Sequence, residues 1–251
     1  MPAGCQMPTT FTQLPLAGCG ASRTSTRRVR ALSKAKVVIK NGGGYDDFVA
    51  KLLKSAGNSS ARLLDAVEIS GKTAPAGGEL NEHVWYDLPT AGLLADRLAA
   101  ALGQASPGDA ATFTAHATAF KDRLKPLQDR LTALKTAHAG APVAITEPVP
   151  GYLLEAAGLQ NKTPEEFAEA IEEGDDVPPA ALRETLALLS AKKVDALVYN
   201  AQTSGPQTQK VEQAAKDNGV PVVPVTETLP EGQDYLTWMA ANITALQNAL
   251  A

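Results

Sequence analysis

The most constraining feature of the chain is a single apolar seam near its middle. Between Pro107 and residue 137, apolar side chains fall at Phe113, Ala117, Phe120, Leu124, Leu127, Leu131 and Leu134. Alternating steps of four and three place them on one face of one α-helix. At 1.5 Å per residue such a helix runs about 45 Å, longer than most helices of globular proteins. Pro126 removes one backbone donor within it and predicts a kink part-way along. A stripe this long suits a spine against which two halves of a chain pack, and not an element inside one small core.

Both halves read as α/β. Ahead of the seam, residues 37–39 (VVI) form a short apolar strand closed by Asn41-Gly42-Gly43-Gly44. The triple glycine has neither G-x-G-x-x-G nor Walker spacing, so it predicts a tight strand-to-helix turn and not a phosphate loop. A helix follows from about Asp46, a candidate N-cap, to the Gly57-Asn58 stop. Residues 61–71 carry a second apolar segment. A glycine-containing loop over 71–78 leads to residues 81–87, and Leu88-Pro89-Thr90 opens a helix through Leu102.

Beyond Gly140, strands at 142–145, 195–199 and 220–225 alternate with helices at about 151–157, 163–173 (Thr163 as N-cap), 178–192, 205–218 and 233–250. Strands separated by helices, without hairpin signals, predict mainly parallel sheets with right-handed crossovers.

The 251 residues suffice for one large domain or two small ones. A formal net charge of −4 and a pI near 5.5 argue against nucleic acid as the partner, since no general basic field collects phosphates. No apolar run reaches the length of a membrane-spanning helix. The two cysteines, Cys5 and Cys19, both lie in the first twenty residues. The rest of the chain therefore has no cysteine nucleophile, thiolate zinc cluster or internal disulfide. Leu16-Ala17-Gly18-Cys19 has the form of a lipoprotein cleavage box, but the residues before it are polar, proline-broken and free of Lys and Arg. Residues 1–30 read as an atypical, disordered arm.

Candidate chemistry concentrates in Asn81-Glu82-His83-Val84-Trp85-Tyr86-Asp87. In a chain with three histidines and two tryptophans, this stretch joins an imidazole, three possible oxygen ligands and two adjacent aromatics. On its own it fits a buried structural histidine as well as a ligand. In open parallel sheets, ligands bind beyond the carboxyl ends of strands, and there the chain offers Thr146-Glu147 after residue 145 and Thr226-Glu227 after residue 225. Two carboxylates facing one crevice serve either acid/base hydrolysis or, with His83, cation binding. A Ser-His-Asp reading is weaker: no G-x-S-x-G elbow occurs, and His116 and His138 lie on the spine as surface residues.

These features occur together and in order: the Asn41-Gly42-x-Gly44-Tyr45-Asp46 turn, residues 81–87, the spine and the two strand-end glutamates. With the closing VTETLP and D-Y-L-x-W-M segments, they resemble the zinc/manganese substrate-binding proteins of bacterial ABC importers over residues 31–251. The resemblance implies two lobes with mainly parallel sheets joined by one long spine helix. Residues 31–106 would be an incomplete N-lobe, 107–138 the linking helix and 139–251 the C-lobe. It implies binding and not catalysis: Zn²⁺ or Mn²⁺ in the interlobe cleft, held by His83, Glu147 and Glu227, with a membrane permease as partner. The protein would be an extracytoplasmic monomer at the cell surface or in the periplasm, with or without a lipid anchor at Cys19.

Glu82 stands where the family's N-P-H-x-W-Y-D motif has proline. Trp85 and Tyr86 are expected to pack and orient His83, and Asp87 or a backbone carbonyl to accept from its second nitrogen. The family's first βαβ portion, with its histidine ligand, has no counterpart ahead of Ala31. The expectation is a site with one imidazole and weakened affinity; a non-functional family remnant or a carboxylate-pair hydrolase are the alternatives.

Overall fold

The computed structural model describes residues 28–76 and 78–251. The lipobox-like Cys19 and most of the arm read over residues 1–30 lie outside them. Residues 28–32 are helical.

The N-terminal part runs β1 (Val37–Lys40), α1 (Phe48–Ser55), β2 (Arg62–Asp65), α2 (Ala66–Ser70), a 3₁₀ turn (Val84–Tyr86) and α3 (Leu88–Ala105). Among the described residues, β1 and β2 form a two-stranded parallel sheet, with Val38 opposite Leu63 and Ile39 opposite Leu64. After a 3₁₀ turn (Pro107–Asp109) comes the spine, α4 (Ala110–His138), 29 residues long. The C-terminal part continues β3 (Pro142–Ile145), α5 (Gly151–Ala156), β4 (Gln160–Asn161), α6 (Glu165–Glu173), α7 (Pro179–Ser190), β5 (Ala196–Asn200), α8 (Pro206–Asp217), β6 (Val222–Val225) and α9 (Tyr235–Ala249). Its four strands are all parallel in the order β4-β3-β5-β6. The central β5 is buried at all five positions, as a strand covered by helices on both faces must be.

The seam behaves as its periodicity predicts. Ala117, Leu124, Leu127, Leu131 and Leu134 are buried, and Phe120 packs beside them. The spine packs on α3 from the N-terminal part and on α5 and α9 from the C-terminal part. It continues through Pro126, which stands on the exposed face, where water can reach the Asp122 carbonyl that loses its backbone donor. The apolar weight is uneven: the spine leucines join a core built with Val143, Leu153, Met239 and Ile243, whereas the N-terminal cluster centres on Ala66, Val67 and Val84.

Two caps differ from the sequence reading. Asp47, not Asp46, precedes α1; the Asp46 carboxylate instead accepts the backbone N–H groups of Asn41 (2.7 Å) and Gly42 (2.9 Å), closing the glycine turn. Thr163 does not cap α6, since Pro164 takes that position. Its hydroxyl clasps Ile145 at the end of β3, accepting from the amide at 2.8 Å and donating to the carbonyl at 3.1 Å. The two-residue β4 is too short and too polar to be legible as a strand in the sequence.

Candidate metal centre

The strand ends of both sheets open on a cleft of about 1230 Å³ between the two parts of the chain. Glu79, Glu82, Glu147, Glu165, Glu169, Glu172, Glu173 and Glu227 line it, with His83, Asn81 and Tyr45, and among the described residues no Lys or Arg does.

His83 enters through the 81–87 stretch, whose position the glycine turn determines. Gly42 and Gly43 have φ of +84° and +66°, which a side chain disfavours. A Cβ on Gly43 would stand 3.0 Å from the Glu82 Cβ, and Asn41 donates to the Glu82 carbonyl at 2.9 Å. Asp87 caps α3, accepting from the Thr90 amide (3.0 Å) and hydroxyl (2.6 Å). The stretch is thus held at both ends.

His83 is buried, at 2% exposure. Its Nδ1 lies 2.8 Å from Asn81 Oδ1, and its own amide donates to the same oxygen at 3.0 Å. The amide nitrogen of Asn81 donates to the Pro148 carbonyl at 2.9 Å, which fixes Oδ1 as the acceptor facing the histidine. Nδ1 therefore carries the proton, and the Nε2 lone pair faces the cleft. Neither expected acceptor, Asp87 or a backbone carbonyl, takes that role; Asp87 is committed to its helix cap. Burial holds the imidazole at about 4, well below its usual range, so it is neutral at pH 7.

Trp85 packs edge-on to His83, ring centroids 4.9 Å apart, as expected. Tyr86 does not: it reaches into the C-terminal part, packing on Trp238 and donating to the Thr226 carbonyl at 2.6 Å. Tyr152 donates to the Asn81 carbonyl (2.6 Å) and Tyr235 to the Trp85 carbonyl (2.8 Å).

Glu147 and Glu227 both reach the cleft from the ends of β3 and β6. Glu147 is 4% exposed and accepts from the Asn200 side chain at the end of β5. Burial raises its carboxyl above the ordinary range. Glu227 accepts from the Tyr45 hydroxyl at 2.7 Å. The two carboxylates thus have separate hydrogen-bond partners. Among the described residues, the group of three candidate metal ligands whose ligand atoms all lie within 4.8 Å of one another is Glu82, His83 and Glu172.

Glu172 was missed in the sequence. One Glu among many on an acidic helix carries no signal until its neighbours are known. Its Oε1 lies 3.4 Å from His83 Nε2, buried and without a hydrogen bond. Burial, and then the charges of Glu82, Glu147, Glu173 and Glu227, push its carboxyl up to about 8. A multivalent cation would relieve this crowding of carboxylates, and the donor set of neutral imidazole plus carboxylate oxygen suits one.

Two α/β lobes on one long helix, with such a cleft between them, define the metal-receptor type of substrate-binding protein. A family model described as "ZnuA: Zinc-uptake complex component A periplasmic" matches residues 22–249. The chain belongs to that family, whose members are non-enzymatic, metal-binding components of ABC importers. Solved structures share the fold. The substrate-binding protein FpvC of Pseudomonas aeruginosa in complex with Ni²⁺ matches at TM-score 0.70 and 20% identity, over 88% of this chain and 80% of that one. The periplasmic zinc-binding protein TroA of Treponema pallidum matches at 0.67 and 19%, over 89% and 83%. A mutant of the laminin-binding adhesin of Streptococcus agalactiae matches at 0.73 and 21%, over 89% and 84%.

Proposed function

We propose that this protein captures Zn²⁺ or Mn²⁺ in the interlobe cleft and delivers it, as an extracytoplasmic monomer, to a membrane permease. Residues 31–106 serve as the N-lobe, 107–138 as the linking helix and 139–251 as the C-lobe. His83, Glu147 and Glu227 hold the ion. One observation carries the reading. The Nε2 of a buried, neutral His83, its tautomer set by Asn81, faces a glutamate-lined cleft. Imidazole suits Zn²⁺ and carboxylate oxygen suits Mn²⁺, so the mixed donor set leaves both as cargo. Ligation by Glu227 requires its carboxylate to exchange the Tyr45 hydroxyl for the cation.

The test is calorimetric titration of Zn²⁺ and Mn²⁺ into wild-type protein and His83→Ala. The variant is expected to lose high-affinity binding while its far-UV circular dichroism stays that of the wild type. Unchanged stoichiometry and affinity in His83→Ala would defeat the assignment.

A further inference from the structure

The donor set of His83, Glu147 and Glu227 gives Glu172 no part, yet no cleft residue is more clearly short of a partner. It stands in the last turn of α6, four residues beyond Ala168, which with Phe167 is buried against the C-terminal sheet. Positions four apart share a helix face. The Thr163 clasp on Ile145 fixes where the helix starts, so this face is aimed by packing.

Glu172 Oε1 is buried without a hydrogen bond, 3.4 Å from His83 Nε2. The His83 side chain is 3% exposed, and since its proton is on Nδ1, Nε2 presents a lone pair. Two acceptors that face each other at this distance are satisfied by a shared proton or a shared cation. Two donors, each about 2.1 Å from a tetrahedral ion, stand about 3.4 Å apart. The third member of the group, Glu82, comes from the residue next to His83.

We propose that Glu172 is itself a ligand of the captured cation, binding it from the C-terminal lobe directly opposite His83. This rests on the reading of the cleft as a divalent-cation site. It makes the site richer in carboxylate than the strand ends alone provide, with Glu82 and Glu172 beside the single imidazole. It also brings α6 into contact with the cargo, so the bound ion ties a C-lobe helix to the N-lobe segment at residues 81–87, which already stands 3.4 Å from it.

The experiment titrates Mn²⁺ and Zn²⁺ into wild type, Glu172→Gln and Asp176→Asn at fixed pH and ionic strength. It also records the visible spectrum of each protein loaded with Co²⁺. Asp176 is exposed just beyond α6 and outside the cleft lining, so its variant controls for loss of one nearby charge. Glu172→Gln is expected to weaken binding about 10–100-fold or more, a loss at least as large as those from groups that only support ligands. Its Co²⁺ spectrum is expected to change, whereas Asp176→Asn keeps the wild-type affinity and spectrum. Wild-type affinity in Glu172→Gln overturns the proposal. So does weakened binding with an unchanged Co²⁺ spectrum, which marks a lost field and not a lost ligand. If the wild type binds none of the three ions, the cation-site reading itself fails. If His83→Ala abolishes binding and Glu172→Gln does not, only the role of Glu172 fails.

Discussion

At the scale of single residues, Asn81 is the most instructive. Its oxygen sets the tautomer of His83 and its nitrogen ties the stretch to Pro148 across the cleft. Gly151 lies close enough that a Cβ there would stand 2.6 Å from that nitrogen. The facing pair also makes the metal-free protein sensitive to pH in both directions. Glu172 rises from 4.5 to about 8, so its contribution to stability is fully present below about pH 4.5 and lost as pH rises through 8. His83 falls from 6.5 to about 4, so its contribution is present above about pH 6.5 and lost as pH falls through 4. Melting temperature measured against pH without metal is expected to fall on both flanks. Glu172→Gln should flatten the upper flank alone; an upper flank that persists would place that titration elsewhere.

At the scale of elements, the spine explains why so much of the chain could be read in advance. Its seven-position seam was legible because a helix repeats every 3.6 residues and one buried face must be apolar throughout. Leu131 is 3% exposed within the main core, so Leu131→Ala should cost about 2–5 kcal/mol in chemical denaturation. A loss below about 1 kcal/mol would mean the spine is packed more loosely than its burial indicates. Caps were less legible. Asp46 and Thr163 are good capping residues by type, yet each satisfies backbone groups of a different element, which local sequence does not reveal.

For the whole molecule, the decisive property is a cleft bounded by both lobes and held by bonds between them. Tyr45, Tyr86, Tyr152 and Tyr235 each donate from one lobe to the other. A cation bound by groups from both lobes stabilises them as one unit. At a free concentration one hundred times its Kd, Zn²⁺ or Mn²⁺ should add about 2.7 kcal/mol. Differential scanning calorimetry should then show one transition moved upwards. Two transitions, with only one responding to the metal, would mean that the lobes unfold independently.

The sequence alone determined the α/β class, the spine, the parallel C-terminal sheet and three residues of the cleft. Each is written in local periodicity or in the residues just past a strand end. Only the tertiary structure decided which groups meet His83. Asn81 replaced Asp87 as the partner of its ring, Tyr86 proved to face the other lobe, and Glu172, 89 positions further along the chain, came within 3.4 Å of it. Contacts between such distant residues depend on how helices are rotated and docked in the folded chain, and neither spacing nor residue type records that.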